Sequence, residues 1–272
     1  MNPSGAKEFS PGLFLASGEL PIGANAPDLL ILNQPIASFA LFSRLWKHSR
    51  YRICADGGAN RLFDMFTGAA SESRRADYLP GSIHGDLDSL RDDVRGYYTA
   101  QGVDVSQDHD QFSTDFGKAM QKIIAQSPGS SQRDILVLGT LSGRVDQGLG
   151  LLHEMLREEM RDSTLRLWLF SETNVSFILR DQRNYLRGMR ASGLFAKYVG
   201  LVPVYGPARI STEGLEWDVK DWETQMGGQV STSNHIVADD VGVQTTTPIL
   251  FTVQRMPFEE GDGNDVVGEI IS

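Results

Sequence analysis

The sequence predicts an α/β protein whose N-terminal part is a mostly parallel sheet flanked by helices, followed by a C-terminal all-β sandwich domain. Short apolar runs alternate with helical patterns as far as about residue 182, which is typical of a parallel sheet covered on both faces. Beyond that point helical periodicity ends, and short segments rich in Val and Thr follow, separated by turns. That second pattern is typical of small all-β domains. A chain of 272 residues is long enough to bury the cores of both parts.

The elements of the first part follow from the spacing of their apolar residues. The predicted strands are short and apolar, and cover 28–33, 51–55, 81–85, 103–106, 134–140, 165–171 and 175–180. The predicted helices cover 37–48, 59–66, 91–102, 114–126 and 145–160. In 114–126, for example, Phe116, Met120 and Ile123 fall on one helical face.

These patterns divide the chain into four segments. Residues 1–26, rich in Gly and Pro, form a predicted flexible arm, and 257–272 form a predicted loose acidic tail. Between them we expect the α/β domain over 27–182 and the β-sandwich domain over 183–256.

Charge and cysteine content limit the partners and the compartment. The formal net charge of −10 disfavours binding to nucleic acid and to anionic membranes. The sequence contains no run of about 18 apolar residues that would suggest a membrane span. The N-terminus lacks the pattern of a signal peptide. The single cysteine, Cys54, excludes an intramolecular disulfide and fits a reducing compartment. We therefore expect a cytoplasmic protein.

Acidic and polar clusters lie at the carboxyl ends of four of the predicted strands. They are Asp56-Gly57-Gly58, Asp86 with Asp88, Asp115 after Thr114, and Arg144 with Asp146 and Gln147. In an open α/β sheet, ligands bind outside the carboxyl ends of the strands, so these loops should share one rim. Glycines at 57 and 58 would let the backbone approach a ligand closely.

Each cluster also has a purely structural explanation. Gly, Asp and Ser are ordinary turn residues, a carboxylate at position 115 suits a helix N-terminus, and Arg144 fits an exposed surface. The joint occurrence of the clusters favours a site. Clustered carboxylates repel one another unless a cation neutralises them. Oxygen ligands favour Mg²⁺ over zinc, and Mg²⁺ commonly shares its ligands with substrate phosphates. The rim therefore predicts a metal–nucleotide site, with Arg144 and Lys118 as phosphate contacts.

Several familiar motifs are absent or broken. The sequence contains no G-x-x-x-x-G-K-[ST] phosphate loop. The segment starting at His153 has Arg157 where the zinc pattern H-E-x-x-H needs its second His. The segment DHDQFSTDFGK begins like a calcium-binding loop, but Phe112 and Ser113 stand at positions that such a loop cannot tolerate.

In this order, the segments CADGGANRLFD, GDLDS, DQFSTDFGKAM and LSGRVDQ resemble those of eukaryotic thiamine pyrophosphokinases. The segments LILNQP, GLVPV, TEGLEWDV and QVSTSN continue the resemblance, which covers roughly 28–255. It implies transfer of pyrophosphate from ATP to the hydroxyl of thiamine with release of AMP. It also implies a catalytic domain at 27–182 that binds nucleotide and Mg²⁺, and a thiamine-binding and dimerisation domain at 183–256. The active sites of the implied homodimer lie at the interface.

The resemblance also implies roles for single residues. The implied magnesium ligands are Asp86, Asp88 and Asp115, with Asp56 nearby. The implied nucleotide contacts are Asp56, Gly57, Gln111, Thr114, Lys118 and Arg144. Arg144 and Asp146 are placed at the reacting centre as well. The implied thiamine contacts, expected from the second subunit, are Trp217, Ser231, Ser233 and Asn234.

Two other functions remain open, a non-catalytic module that senses thiamine or nucleotide and a Mg²⁺-dependent nucleotide hydrolase. Either Asp86 or Asp146 can be the base that accepts the hydroxyl proton. By their residue types alone, Trp217 would suit a core and STSN an ordinary turn.

Overall fold

The computed structural model describes residues 6–68, 72–126, 132–141 and 143–258. The strands in these ranges are β1 (Lys7–Phe9), β2 (Asp28–Ile31), β3 (Tyr51–Ala55), β4 (Ser82–Gly85), β5 (Asp104–Gln107), β6 (Arg133–Leu138), β7 (Leu165–Phe170), β8 (Asn174–Leu179), β9 (Arg183–Leu186), β10 (Phe195–Val202), β11 (Ala208–Glu213), β12 (Trp222–Thr224), β13 (Ser231–His235), β14 (Val241–Thr245) and β15 (Ile249–Arg255). The α-helices are α1 (Phe39–His48), α2 (Gly58–Asp64), α3 (Asp92–Ala100), α4 (Asp115–Gln126) and α5 (Val145–Arg161), and 3₁₀ helices cover Pro11–Phe14 and Ser73–Asp77.

A ten-stranded sheet runs through the molecule in the order β13-β10-β15-β8-β7-β6-β2-β3-β4-β5. The six strands from β7 to β5 are parallel, as the alternation of strands and helices predicts. Alternate side chains of β2 enter two separate cores. Leu29 and Ile31 pack with α1, α2 and α3, whereas Leu30 packs with α4 and α5. Both faces of the parallel part are therefore covered by helices.

The C-terminal part is a sandwich of two sheets, as predicted. A five-stranded sheet in the order β1-β9-β14-β11-β12 forms one layer. Its inner side chains, such as Ile210 and Val243, share a core with Val199 and Phe251 of the large sheet. The second layer is the antiparallel end of that same large sheet. The two predicted domains are thus joined by one continuous sheet.

Residues 7–15 of the predicted N-terminal arm pack against the rest of the fold. Strand β1 pairs in parallel with β9, so the arm completes the small sheet. Phe9, Phe14 and Leu15 are buried, and the Phe9 ring stacks on Phe177 at 5.2 Å. The Gly and Pro content of this segment suggested an arm. Its few apolar side chains give no local pattern, because they are buried against a sheet formed by distant parts of the chain. Most of the predicted acidic tail, from residue 259, lies outside the described residues.

Among the residues that the structure describes, no helix combines the length and the apolar character that crossing a membrane requires.

The order of the parallel strands determines where a ligand can bind. Strands β3, β4 and β5 lie on one side of β2, and β6 and β7 lie on the other. The loops after β2 and β6 therefore diverge, which opens a crevice at the carboxyl edge of the sheet. The carboxylates of interest follow β3, β4 and β5 along this same edge.

Candidate active site

Asp56 is the residue that directly follows β3, and its side chain is buried. Its backbone takes a left-handed conformation with φ of 41°, which Asp adopts more readily than most residues. One carboxylate oxygen, Oδ2, accepts a hydrogen bond from the Ser89 amide at 3.2 Å. The other, Oδ1, is buried and has no hydrogen-bond partner among the described residues.

The loop that follows β4, residues 86–90, turns sharply at Leu87. The Leu87 backbone is also left-handed, with φ of 62°, which is uncommon for a bulky residue. Its side chain is buried in the core shared with α1, α2 and α3, and this burial holds the turn in place. The turn points the side chains of Asp86 and Asp88 in different directions. The Asp88 amide donates a hydrogen bond to Oδ1 of Asp86 at 3.2 Å.

Asp115 begins helix α4 and reaches the same point from β5. Its Oδ1 accepts a hydrogen bond from the Asp86 amide at 3.1 Å. Gly85 makes this approach possible, because a Cβ at that position would lie 2.7 Å from Oδ1 of Asp115. One helical turn later comes Lys118, which is 1% exposed. Its Nζ lies 3.6 Å from Oδ2 of Asp86 and 3.8 Å from Oδ1 of Asp115.

Asp56, Asp86 and Asp115 each place a carboxylate oxygen within 4.8 Å of the others. Burial, together with repulsion from Asp115, raises the pKa of Asp56. Burial, together with repulsion from Asp86, raises the pKa of Asp115. Both shifts have the sign expected for carboxylates that meet away from water without full charge compensation. A cation bound between them would offset this repulsion.

The residues present fit Mg²⁺. All three groups offer hard oxygen ligands, and the buried Oδ1 of Asp56 lacks a partner that a metal ion would supply. Lys118 supplies one positive charge for three carboxylates, so the group remains net negative if all three are ionised. This acidic group can therefore hold a metal ion.

This group contains Asp56 in place of Asp88, which the predicted ligand set contains. Asp56, which we expected at the nucleotide, stands with Asp86 and Asp115, and Asp88 is not part of the group. Asp88 is exposed and its Oδ1 accepts a hydrogen bond from the Ser89 hydroxyl at 3.0 Å. The left-handed turn at Leu87 stands between Asp86 and Asp88. A direct contact between Asp88 and a metal stays a prediction.

The remaining residues predicted for the nucleotide lie in loops around this group. Gly57 packs closely against another part of the chain, because a Cβ at that position would lie 2.8 Å from Cγ of Asn33. The Thr114 hydroxyl accepts a hydrogen bond from the Gly117 amide at 3.1 Å and so caps α4. The exposed side chain of Gln111 donates to the His109 carbonyl at 3.4 Å. Their contacts with a nucleotide stay predictions.

Arg144 and Asp146 lie at the start of α5, beyond the carboxyl end of β6. They form a two-pronged ion pair, with Nε–Oδ1 and Nη2–Oδ2 distances of 3.1 and 2.5 Å. This pairing raises the pKa of Arg144 and lowers that of Asp146. Both side chains are exposed, and within the described ranges no contact links them to the carboxylate group. Their predicted place at the reacting centre is not tested by these contacts.

The residues predicted for thiamine gather on the surface of the sandwich. The Trp217 side chain is exposed, and its ring lies 4.9 Å from that of His235. Asn234 is buried and binds the backbone of Trp217 twice, accepting from its amide at 3.2 Å and donating to its carbonyl at 3.0 Å. Asn234 therefore positions Trp217 in this structure. Ser231 and Ser233 lie on β13, with Ser233 exposed and left-handed at φ 57°.

These residues are far from the carboxylates of the same chain. Strand β13 is at one end of the ten-stranded sheet, and β3 stands seven strand positions away. Neighbouring strands are about 4.8 Å apart, so the separation across the sheet is about 30 Å. One chain therefore does not bring the two predicted halves of the site together.

Sequence reasoning missed several residues that contribute to these two regions. Asn33 and Ser89 hold the Asp56 loop. His235 lies beside Trp217, contacts the Tyr198 ring at 5.2 Å and is hydrogen-bonded to Glu216. Asn33, Ser89 and Glu216 lie within the segments LILNQP, GDLDS and TEGLEWDV. Their contacts have no signal in the sequence, because their partners lie far away along the chain.

Two parts of the chain match described families. Residues 42–169 match the thiamin pyrophosphokinase catalytic domain, and residues 185–250 match the thiamin pyrophosphokinase vitamin B1 binding domain. Thiamine pyrophosphokinase 1 of rice, Oryza sativa subsp. japonica, is 34% identical over 233 residues, which cover 83% of this chain and 86% of the rice protein. The Saccharomyces cerevisiae thiamine pyrophosphokinase is 29% identical, with coverages of 83% and 84%.

Solved structures are similar over nearly the whole fold. A crystal structure of yeast thiamin pyrophosphokinase matches with a TM-score of 0.83 and 26% identity, covering 94% of each chain. The thiamin pyrophosphokinase from Candida albicans matches with a TM-score of 0.81 and 26% identity, covering 94% of this chain and 95% of that one.

Proposed function

Because the chain belongs to the thiamine pyrophosphokinase family, we propose that it transfers pyrophosphate from ATP to the hydroxyl of thiamine at the Asp56–Asp86–Asp115 edge. The products are thiamine diphosphate and AMP. The observation that carries this proposal is the convergence of three carboxylates from separate loops within 4.8 Å of one another, in a part of the chain that matches the catalytic domain.

The reaction requires one bond exchange. The thiamine hydroxyl oxygen attacks the β-phosphorus of ATP, the bond from that phosphorus to the oxygen bridging it to the α-phosphorus breaks, and AMP leaves with that oxygen. The hydroxyl proton passes to a carboxylate, for which Asp86 and Asp146 are the candidates. Phosphoryl-type transfer depends mostly on positioning and on neutralising charge, so we expect the chain to contribute mainly these two effects.

Charge neutralisation is assigned to named groups. Asp56, Asp86 and Asp115 would hold Mg²⁺, with Asp88 as a further predicted ligand, and Mg²⁺ bound there would offset negative charge on the phosphate oxygens. The Lys118 ammonium already lies beside two of these carboxylates and is available to a phosphate. Arg144 would break its ion pair with Asp146 and bind the phosphates instead. Gly57, Gln111 and Thr114 complete the proposed nucleotide loops.

Thiamine recognition is assigned to a second copy of the chain. Thiamine carries a cationic thiazolium ring, which the exposed face of Trp217 can attract, while Ser231 and Ser233 offer hydroxyl groups. The separation of about 30 Å across the sheet supports a homodimer, in which the Trp217 surface of one chain meets the carboxylates of the other. Asn234 acts in this arrangement by holding Trp217.

We also propose a cytoplasmic location, on the ground that the single cysteine, Cys54, is buried and unpaired.

An assay of AMP formation tests the function against its two alternatives. The purified chain is incubated with ATP, with or without thiamine and with or without Mg²⁺. We expect AMP only when both are present, with thiamine diphosphate formed in equal amount. Thiamine-independent AMP would instead indicate a nucleotide hydrolase. No AMP, with ATP or thiamine still bound, would indicate a non-catalytic sensing module.

A further inference from the structure

His235 lies between two aromatic rings at the Trp217 surface. Its imidazole ring is tilted against the Trp217 ring, with 4.9 Å between the centroids, and meets the Tyr198 ring edge-on at 5.2 Å. The His235 side chain is only 18% exposed, whereas Trp217 is 55% exposed. His235 therefore supports one side of the Trp217 ring and leaves the rest of that ring open to solvent.

The imidazole of His235 also binds the carboxylate of Glu216. An ionised carboxylate accepts hydrogen bonds and cannot donate them, so Nδ1 of His235 donates to Oε2 of Glu216. The backbone reinforces this contact, because the Glu216 amide donates to the His235 carbonyl at 2.8 Å, and Leu215 forms an antiparallel bridge with Ile236. Side-chain and backbone contacts together thus fix Glu216 next to Trp217.

This pair places a negative charge beside an exposed aromatic ring. With a neutral imidazole, the Glu216–His235 pair keeps the charge of the carboxylate, and the Glu216 side chain is 48% exposed. Lys197 contacts the same row of rings at its other end, where Nζ lies 5.2 Å from the centroid of the Tyr198 ring. A cation on the Trp217 ring would therefore be attracted by the carboxylate, whereas an uncharged ring of the same shape would gain only the ring contact.

We propose that Glu216 is a specificity-determining residue that selects the cationic thiazolium ring over uncharged rings of the same shape, and that His235 is the positioning residue that holds it. The proposal rests on the proposed function, because it assumes that thiamine binds at the Trp217 surface. The Trp217 ring offers a contact that any flat ring can use, and Glu216 adds an attraction that only a cation can use.

Glu216→Gln tests the proposal, because the amide keeps the shape of the side chain and removes its charge. Binding to the full-length protein with Mg²⁺ and a non-hydrolysable ATP analogue is measured by calorimetry for thiamine and for its uncharged isostere, in which a thiophene replaces the thiazolium. We expect thiamine to bind about threefold more weakly at low salt, the scale of one exposed charge pair, and the isostere to bind as to the wild type. The matched control is Glu19→Gln, which removes the same charge at an exposed ion pair with Lys47 and should change neither affinity.

His235→Phe tests the positioning role, because a ring stays beside Trp217 while the hydrogen bond to Glu216 is lost. We expect weaker binding of thiamine alone, by up to the same factor. Equally weaker binding of both ligands would mean that His235 only supports the Trp217 ring, and tighter binding of thiamine would mean that the imidazole opposes the cation. Either result would overturn the positioning role.

Two results for Glu216→Gln would overturn the selective role of Glu216. Thiamine and the isostere would lose affinity equally, or neither would lose any. A wild-type protein that binds the two ligands equally well would contradict it too. Binding does not depend on turnover, so a wild-type protein that prefers thiamine to the isostere without forming AMP contradicts the proposed function and leaves the role of Glu216 standing.

Discussion

At the scale of single residues, the chemistry depends on two left-handed backbone positions, Asp56 and Leu87. The first points a buried carboxylate along the sheet edge, and the second turns Asp86 toward it and separates Asp88 from it. The sequence predicts which loops carry acidic residues, because they follow apolar strands. It does not predict which carboxylates meet, because that depends on a turn fixed by the burial of Leu87 in a distant core.

Asp56→Asn should abolish the metal response without unfolding the protein. The amide cannot replace a carboxylate ligand, so we expect turnover to fall by roughly 10²–10³ and added Mg²⁺ to stop raising the melting temperature. Without metal, the variant should be at least as stable as the wild type, because burial and repulsion from Asp115 disfavour the Asp56 charge. Thermal unfolding with and without Mg²⁺ measures this, with exposed Asp77→Asn as the control. Stabilisation by Mg²⁺ equal to that of the wild type would remove Asp56 from the site.

Asp88→Asn is expected to lose nearly all turnover while remaining folded. The side chain is exposed on the loop that carries Asp86, so a metal–nucleotide complex can engage it although it stands outside the carboxylate group of this structure. Steady-state AMP release and the far-ultraviolet circular dichroism spectrum are the two measurements needed. If AMP release stays near the wild-type rate, Asp88 is not a metal ligand.

At the scale of elements, β1 shows what local patterns leave out. Most of the strands and helices of the α/β part lie close to their predicted positions, because each has its own apolar periodicity. The three-residue β1 has no such signal, and it exists only because β9 and the Phe177 ring receive it. Its Lys7 is partly buried near Arg166 and Arg180, and burial together with these guanidinium groups lowers the pKa of Lys7 to about 8.

Lys7→Met should therefore stabilise the protein, and the gain should depend on pH. At pH 7 the fold must hold Lys7 charged against burial, so we expect the variant to be more stable by about 1 kcal/mol, a value reduced for solvent screening of this partly exposed group. In the wild type, Lys7 loses its proton above about pH 8 when folded and near 10.5 when unfolded. The wild type thus regains stability as the pH rises between these values, and the difference should vanish above them.

Urea unfolding of both proteins at several pH values from 7 to about 10.5 checks this, with Lys220→Met as the control at an exposed lysine. A difference that stays constant or grows with pH would contradict the assigned cause.

At the scale of the whole molecule, the continuous ten-stranded sheet sets the distance between the two predicted halves of the site. The predicted domain boundary at 182 separates helical from all-β patterns, but β10, β13 and β15 join the large sheet across it. Strand pairing between distant segments has no local sequence signal, so this continuity could not be predicted. The sheet holds Trp217 and the carboxylates of one chain apart. We therefore propose that segment 27–182 of one chain and segment 183–256 of another together form each site.

The central claim is that each active site combines the carboxylates of one chain with the Trp217 surface of another. Asp86→Asn and Trp217→Ala are each expected to be nearly inactive, and activity is measured after the two variants are mixed and allowed to exchange subunits. Half of the random dimers then contain both variants, each with one intact site, so we predict recovery of about a quarter of wild-type activity. A mixture of Asp86→Asn with Asp115→Asn should recover no activity, because each variant lacks one carboxylate of the same half of the site. Failure of the first mixture to gain activity, with subunit exchange demonstrated, would contradict the shared site.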